Sequence, residues 1–422
     1  MIIEENKNPI IHIVLSDRNH DKTNEKKYTN KKAKYTIINI NKNKKDKPTC
    51  LTSENIYRSV ILDENETTML SVSPSKIIDN ELFNKRHVAP YSSEHNSYIN
   101  ELIEGTMIQL FYDTRIKSWQ IATKSAIGGN YWYFKTKYDD HDNSSQEQIT
   151  FYNMFLDALH EKRNSDLNET SFVQKLFTDH SYTFILQHPE NHIVFTINEP
   201  KIYLVSIYKI ENIRDQLNGS KNQVKLTCIL PVNYEKWDCF PKHIVYFPKQ
   251  YTSQELVQLS FSSKIYEYVG IMILDKVSGE RTTIKNPGYE ELKMIRGNNP
   301  NLHYQFLSLK RIDKIDTFLY FFKKYTKLFS QFEKRYSRFI SDLHNCYMEL
   351  YVNKTIDLNK ISKKYYIHIW RLHYQIYIPS INSKKKIITK EVVKTYFGEL
   401  EPKEQFFYLN FTGENFTDIY VQ

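Results

Sequence analysis

The chain has 422 residues, 40% of them hydrophobic and 14% aromatic. That supply of apolar side chains builds a sizeable core and excludes a disordered polypeptide. Lys and Arg number 58 against 49 Asp and Glu, a formal charge of +9, which favours an anionic partner without locating the charge on the fold.

Residue usage leans to Lys, Asn, Ile and Tyr, so part of that charge is compositional. The four cysteines, Cys50, Cys228, Cys239 and Cys346, are scattered. They lack paired metal-ligand spacing and fit a reduced, intracellular protein. The N-terminus MIIEENKNPIIHIV lacks the basic start and apolar run of a signal peptide. No window approaches the roughly 20 apolar residues of a membrane span.

Along the chain, 10–15 reads as a strand. Residues 17–47 are polar and lysine-rich, with strand character only at 35–40. They read either as a solvated insertion or as a basic arm following a phosphate backbone. Residues 56–62 and 68–72 form a hairpin around Asp63 to Glu66, and Pro74 holds the residue before it extended. The hairpin the rest is organised around comes next, with strands at 106–112 and 119–124. Its first run is nearly continuous in apolar residues, as in a strand buried on both faces.

A helix follows at 147–161, with Ile149, Tyr152, Phe155, Leu156 and Leu159 at helical spacing. A short helix at 171–177 leads to strands 181–186 and 193–196 about the turn at 188–192. Residues 201–210 form another strand. The stretch 212–251 is less regular, limited by Pro231, Pro241 and Pro248. A further hairpin pairs 266–273 with 281–285. Helices then dominate: a long one at 315–351 and shorter ones at 369–377 and 391–397. The expectation is an α+β chain with three parts: N-terminal strands with the lysine-rich insertion (1–54), a sheet domain (55–305) and a helical domain (306–422).

Four segments, in order, resemble the adenylyltransferase domain of RNA ligases of the bacteriophage tRNA-repair type and their relatives in large DNA viruses. They are Tyr57-Arg58-Ser59-Val60 leading to Ser73-Pro74-Ser75-Lys76; Glu104-Gly105-Thr106 followed by Ala122-Thr123-Lys124-Ser125; Ser181-Tyr182-Thr183-Phe184 with Pro189, Asn191 and Ile193-Val194; and Gly270 followed by Ile284-Lys285 and Tyr289. The resemblance covers roughly residues 55–300 and implies a nucleotidyltransferase domain of antiparallel sheets with flanking helices. Such ligases use a lysine amine to attack the α-phosphate of ATP, with Mg2+ held by acidic residues and late lysines neutralising the phosphates.

The catalytic positions depart from that pattern. The nucleophile position falls on Leu102, which has no lone pair to offer. The family's two later glutamates fall on Ile185 and Val269, and the first of its paired late lysines falls on Thr283, leaving Lys285. The resemblance places Lys76, Glu104, Lys124 and Lys285 at the nucleotide and its phosphates, with Glu104 as the acidic residue beside the motif glycine. If a relocated lysine serves as nucleophile, the candidates are Lys124 and Lys285, with Lys76 behind them. Glu104, Asp113, Glu267 and Asp275 are then the nearest carboxylates, although Asp113 and Asp275 also suit turn caps.

Outside those segments, His180, His188, Glu190 and His192 gather around one turn; a polar turn explains them, and no metal site is expected. His368 and His373 lie near Tyr366, Trp370 and Tyr374, a mixture that suits either RNA stacking or a helical core with a wet edge. Phe318 to Phe339 form a packing stripe. The interleaved Lys323, Lys324, Lys327, Lys334, Arg335 and Arg338 form a basic outer face, the best candidate for RNA contact.

Three functional readings stand. The first is an RNA-ligase-like protein with a degenerate active site that binds RNA ends or tRNA-like RNA without lysyl-AMP chemistry. The second is an active ATP- and Mg2+-dependent RNA ligase using a relocated lysine. The third is a structural or assembly protein of a large DNA virus.

Overall fold

The structure, a computed structural model, describes residues 8–29, 33–41, 55–88, 96–131, 149–214, 222–256, 268–297, 299, 301–381 and 387–411. Internal contacts divide them into two units, one ending at Lys293 and the other starting at Met294. The fold is α+β, with antiparallel sheets in the first unit and helices in the second.

The largest sheet of the first unit has seven strands. Six run in the order β1 (Ile10–Val14), β11 (Asn222–Ile229), β10 (Lys201–Arg214), β9 (His180–Gln187), β7 (Thr106–Asp113) and β8 (Ser118–Ala122). The seventh, β12 (Val245–Tyr246), lies parallel to β10. A four-stranded sheet runs β2 (Thr23–Thr29), β3 (Lys34–Ile40), β4 (Val60–Asp63) and β5 (Met69–Val72). A three-stranded sheet runs β14 (Arg281–Lys285), β13 (Gly270–Asp275) and β6 (Ser97–Glu101).

Both faces of the large sheet are covered, which is why 106–112 reads as almost continuously apolar. One face packs Phe184, Leu186 and Leu204 against Phe155 and Leu156 of α2 (Phe151–Ala158). Thr150 caps that helix by accepting from the Asn153 amide at 3.3 Å. The other face places Tyr208, Val224 and Leu226 against Val60, Leu62 and Val72.

A buried hydrogen-bonded chain runs across this second junction. Gln109 donates to Ser59 Oγ at 2.8 Å, and Ser71 Oγ donates to Gln109 Oε1 at 2.8 Å. Ser71 Oγ also meets Ser181 Oγ at 2.8 Å. All four side chains are inaccessible to solvent. A one-residue slip of β7 would turn Gln109 away from its partners, so the chain helps fix the register.

Several elements differ from the sequence expectation. Residues 23–29 form a strand, because an edge strand pairs on one side only and tolerates a charged sequence such as TNEKKYT. Residues 222–229 also form a strand: Val224, Leu226 and Cys228 are buried in alternation, a signal overshadowed by the nearby prolines. The short helix at 171–177 is only a 3-10 turn, Val173–Lys175. No strand forms at 193–196. The amides of Ile193 and Val194 donate instead to the Glu104 carboxylate, and β9 pairs with β10. The first helix, α1 (Asn80–Arg86), packs on β14 and was not expected.

The unit boundary lies within α3 (Pro287–Arg296). The second unit continues with α4 (Leu302–Arg311), α5 (Ile315–Phe321), α6 (Thr326–Tyr347), α7 (Lys363–Arg371), α8 (Lys390–Glu399) and α9 (Pro402–Leu409). Its core is built from aromatic rings, among them Phe306, Phe318, Phe329, Phe339 and Phe397.

The single helix expected at 315–351 is broken. Phe322 leaves helical geometry at φ −116°, ψ 56°, followed by a 3-10 turn at Lys323–Tyr325. No Gly or Pro announces the break. It lets Phe318 and Phe329, on the two sides of the turn, stack at 4.8 Å and 4°, an arrangement local propensity does not encode. Two π-helical segments, Met348–Val352 and Leu372–Tyr377, extend α6 and α7.

Candidate phosphate-binding site and nucleic-acid interface

In the first unit the fold gathers four of the positions that depart from the ligase pattern. Leu102, just past β6, donates its amide to Gly270 O at 2.9 Å. Gly270 opens β13 and pairs with Lys285 at the end of β14, while Thr283 pairs with Met272. Val269 precedes Gly270 and accepts the Asn286 amide at 3.0 Å.

Ile185 reaches the same stretch of chain through Gly105. A Cβ on Gly105 would stand 2.7 Å from Ile185 Cγ2 and 2.5 Å from Leu186 O. One on Gly270 would stand 2.4 Å from Ile284 O. At φ values of 153° and 151°, both positions need glycine for conformation as well as for closeness.

Glu104 lies in this region and is fully engaged. Its Oε1 accepts from the Ile193 and Val194 amides at 2.9 and 3.0 Å, and its Oε2 accepts from the Tyr289 hydroxyl at 2.7 Å. The carboxylate is buried and ties the strand connection to α3. Burial, then the neighbouring Glu104 charge, pushes the Tyr289 hydroxyl well above the ordinary tyrosine range.

The expected lysines are spread out. Lys285 is exposed and pairs with Glu290 at 3.2 Å. Lys124 is half-buried beyond β8, where its carbonyl accepts from Ser59 Oγ at 2.8 Å. Lys76 is half-buried in the extended segment after β5. None stands at the position of Leu102.

Asp113 and Asp275 both hold turns. Asp113 accepts from the Arg115 amide at 3.0 Å, and Asp275 accepts from the Val277 and Ser278 amides at 3.1 and 2.7 Å. Glu267 lies outside the described residues. Leu102, Ile185 and Val269 offer no donor to a metal, and Glu104 is saturated, so this set does not fit magnesium ATP. Among the described residues no three His, Cys, Asp or Glu side chains gather to hold a metal.

Sequence reasoning gave no role to the most unusual charges nearby. Arg281, at the start of β14, is buried and donates to the Ser75 and Pro74 carbonyls at 2.7 and 3.3 Å. Burial, reinforced by repulsion from Arg58, lowers its guanidinium to about 9. Burial alone pushes Arg58 down. Asn39, with its amide turned to donate, bridges the Arg58 and Lys124 carbonyls at 2.8 and 2.9 Å.

No ion pair among the described residues neutralises either arginine, and Lys76 adjoins Ser75 in sequence. Two desolvated cations without a carboxylate are expensive, and a bound phosphate would supply the missing charge. Arg58 was legible as part of a matched segment. Arg281 carried no signal, because its neighbours come from the segment after β5 and from β10 and β11.

In the second unit, Lys323, Lys324, Lys327, Lys334, Arg335 and Arg338 are all exposed. The helix break moves Lys323 and Lys324 off the helix and into the 3-10 turn. Lys324 lies 4.9 Å from the Tyr325 ring centre, and Arg335 donates to Leu409 O at 2.9 Å. Lys327, Lys334 and Arg338 fall on one line of α6, opposite Phe329, Phe332, Tyr336 and Phe339. The acids on this helix have partners of their own, Asp342 standing one turn beyond Arg338. Glu333 pairs with Lys310 at 2.7 Å, and Asp342 accepts the Tyr365 hydroxyl at 3.1 Å.

The histidines serve packing and turns. His188 meets Asp157 at 3.1 Å, His180 meets Asp179 at 2.6 Å, and His192 meets the Pro189 carbonyl at 2.6 Å. His368 is fully buried with Nδ1 2.7 Å from the Tyr396 hydroxyl, and His373 stacks on Tyr351 at 3.6 Å.

The architecture is therefore an α+β chain whose second unit carries a basic helix face. No family model matches it. Among curated proteins it is similar to the Immediate-early protein ICP-46 homolog of Invertebrate iridescent virus 6, with 24% identity over 327 residues. The match covers 73% of this chain and 66% of that protein, so the chain spans about two thirds of the relative's length. No helix among the described residues is long and apolar enough to cross a membrane.

Proposed function

We propose that this is an RNA-ligase-like protein that has lost lysyl-AMP chemistry and binds RNA ends or tRNA-like RNA. The observation that carries the reading is the Arg58–Arg281 pair, a half-buried and a buried arginine with no carboxylate paired to them among the described residues. A terminal or backbone phosphate supplies the charge they lack. Leu102, Ile185 and Val269 support the loss of chemistry: the covalent route needs an amine, and an isobutyl group cannot replace it. The exposed line of Lys327, Lys334 and Arg338 supports a second contact with the phosphate backbone. The likeness to an iridovirus immediate-early protein supports a viral protein acting within a host cell.

One observation favours the relocated-lysine reading. Lys285 pairs with Gly270, the residue whose carbonyl accepts the Leu102 amide. Incubating the full chain with ATP labelled at the α-phosphate and Mg2+, and in parallel with labelled RNA, separates the two. The proposed function gives retained RNA and no acid-stable protein–AMP adduct. An adduct abolished by Lys285→Met establishes the ligase instead.

A further inference from the structure

The helix carrying α7 presents a second feature, independent of the basic line on α6. Tyr366, Trp370 and Tyr374 are 45%, 44% and 49% exposed, while Tyr365, His368, Ile369 and Leu372 face the core. Exposed aromatics spaced four apart along one helix form a line of rings. In an α-helix such a line drifts around the axis, because four residues exceed one turn. Here Leu372–Tyr377 is π-helical. Its wider turns close on the fifth residue rather than the fourth, and carry Tyr374 back towards the line set by Tyr366 and Trp370.

Trp370 and Tyr374 stand 5.6 Å apart at 36°, so their rings form a ladder rather than a sealed stack. From Tyr366 to Tyr374 the line runs about 12 Å at roughly 1.5 Å per residue. The stretch around it is mainly basic, although Arg371 is paired with Glu404 at 2.7 Å. Residues 354–381 contain five basic side chains, Lys354, Lys360, Lys363, Lys364 and Arg371, against one acid, Asp357. Lys360 and Lys363 are exposed and precede Tyr366 in sequence. Half-exposed rings beside a mainly basic stretch match an unpaired strand whose bases stack while its phosphates track the lysines. A duplex hides its base faces and cannot use them.

We propose that Tyr366, Trp370 and Tyr374 form a base-stacking platform for about three nucleotides of single-stranded RNA. The inference rests on the RNA-binding reading above and specifies which form of RNA the second unit takes. Its occupant is unpaired RNA, rather than a lipid surface or a second copy of the chain.

The test uses the full chain and fluorescent RNA of two kinds, an unstructured oligo-uridylate and a blunt duplex of the same length. Trp370→Ala should weaken binding of the single strand about tenfold, and the triple variant Tyr366→Ala/Trp370→Ala/Tyr374→Ala by considerably more. Trp370→Phe, which keeps a ring, should restore most of the loss. Duplex affinity should not change. The slope of log affinity against log salt should also stay at its wild-type value, because stacking releases no counterions.

Unchanged single-strand affinity in the triple variant, with wild-type RNA binding intact, overturns the platform and leaves the RNA reading standing. No binding of either RNA by the wild-type chain overturns both. Loss of self-association, or of binding to phosphatidylserine vesicles, in the triple variant while RNA affinity holds assigns the rings to a dimer or a membrane surface and likewise overturns the platform.

Discussion

Tyr289 donates its hydroxyl to the Glu104 carboxylate at 2.7 Å, tying the first turn of α3 to the connection between β6 and β7. The same carboxylate holds the Ile193 and Val194 amides, so one buried charge orders three separate segments. Tyr289→Phe removes one charge-assisted hydrogen bond and should cost about 2 kcal/mol. Glu104→Ala strands two amides and a hydroxyl, and should cost about 3–5 kcal/mol. Hydrogen exchange at β7 and β9 in the two variants measures both losses. Equal protection in Glu104→Ala and the wild type would remove the carboxylate from its structural role.

The polar chain between the large and four-stranded sheets makes a second prediction. Gln109 is inaccessible, donates to Ser59 and accepts from Ser71. Gln109→Ala leaves both hydroxyls without that partner and opens a cavity, for a loss of about 2–4 kcal/mol. Chemical denaturation should show it as a lower midpoint, with the change confined to the first unit.

The helical unit should weaken in acid. Burial lowers His303 to about 4 and His368 to about 3, against an ordinary 6.5. Below pH 6.5 the unfolded chain takes up protons that the folded histidines refuse. Stability is therefore complete above about pH 6.5 and falls towards pH 4, by up to about 1.4 kcal/mol per pH unit for each histidine. Thermal melts of the full chain between pH 7.5 and 4.5 measure the slope, and His368→Phe should make it shallower.

Lys327, Lys334 and Arg338 are exposed on the face of α6 opposite its buried rings. Replacing all three by Gln should leave thermal stability nearly unchanged. It should reduce the slope of log RNA affinity against log salt by about 2–3, roughly one unit for each phosphate contact removed. An unchanged slope would place the RNA elsewhere.

The α+β class was legible because short apolar runs bounded by turns mark the strands, as in the central hairpin, and a helical period marks the stripe from Phe318 to Phe339. Phe329, Phe332, Tyr336 and Phe339 are core residues, as their spacing implied. The break at Phe322 was not legible, because the ring stack across it is a tertiary contact between two helical stretches. The missing strand at 193–196 failed for a comparable reason: its amides are claimed by Glu104, a carboxylate nearly ninety residues earlier. Sequence spacing placed Leu102 and Gly270 in separate matched segments, and the structure joins them through one hydrogen bond. It could not reveal Arg281, whose unusual charge arises only from what folds over it.

The account turns on whether the Arg58–Arg281 pair receives a phosphate. Fluorescence anisotropy with one short RNA, with and without a terminal phosphate, tests this on the wild-type chain and on Arg58→Ala. The account predicts at least tenfold tighter binding of the phosphorylated RNA by the wild type, and no such preference in Arg58→Ala. Equal affinity of the wild-type chain for both RNAs would contradict it.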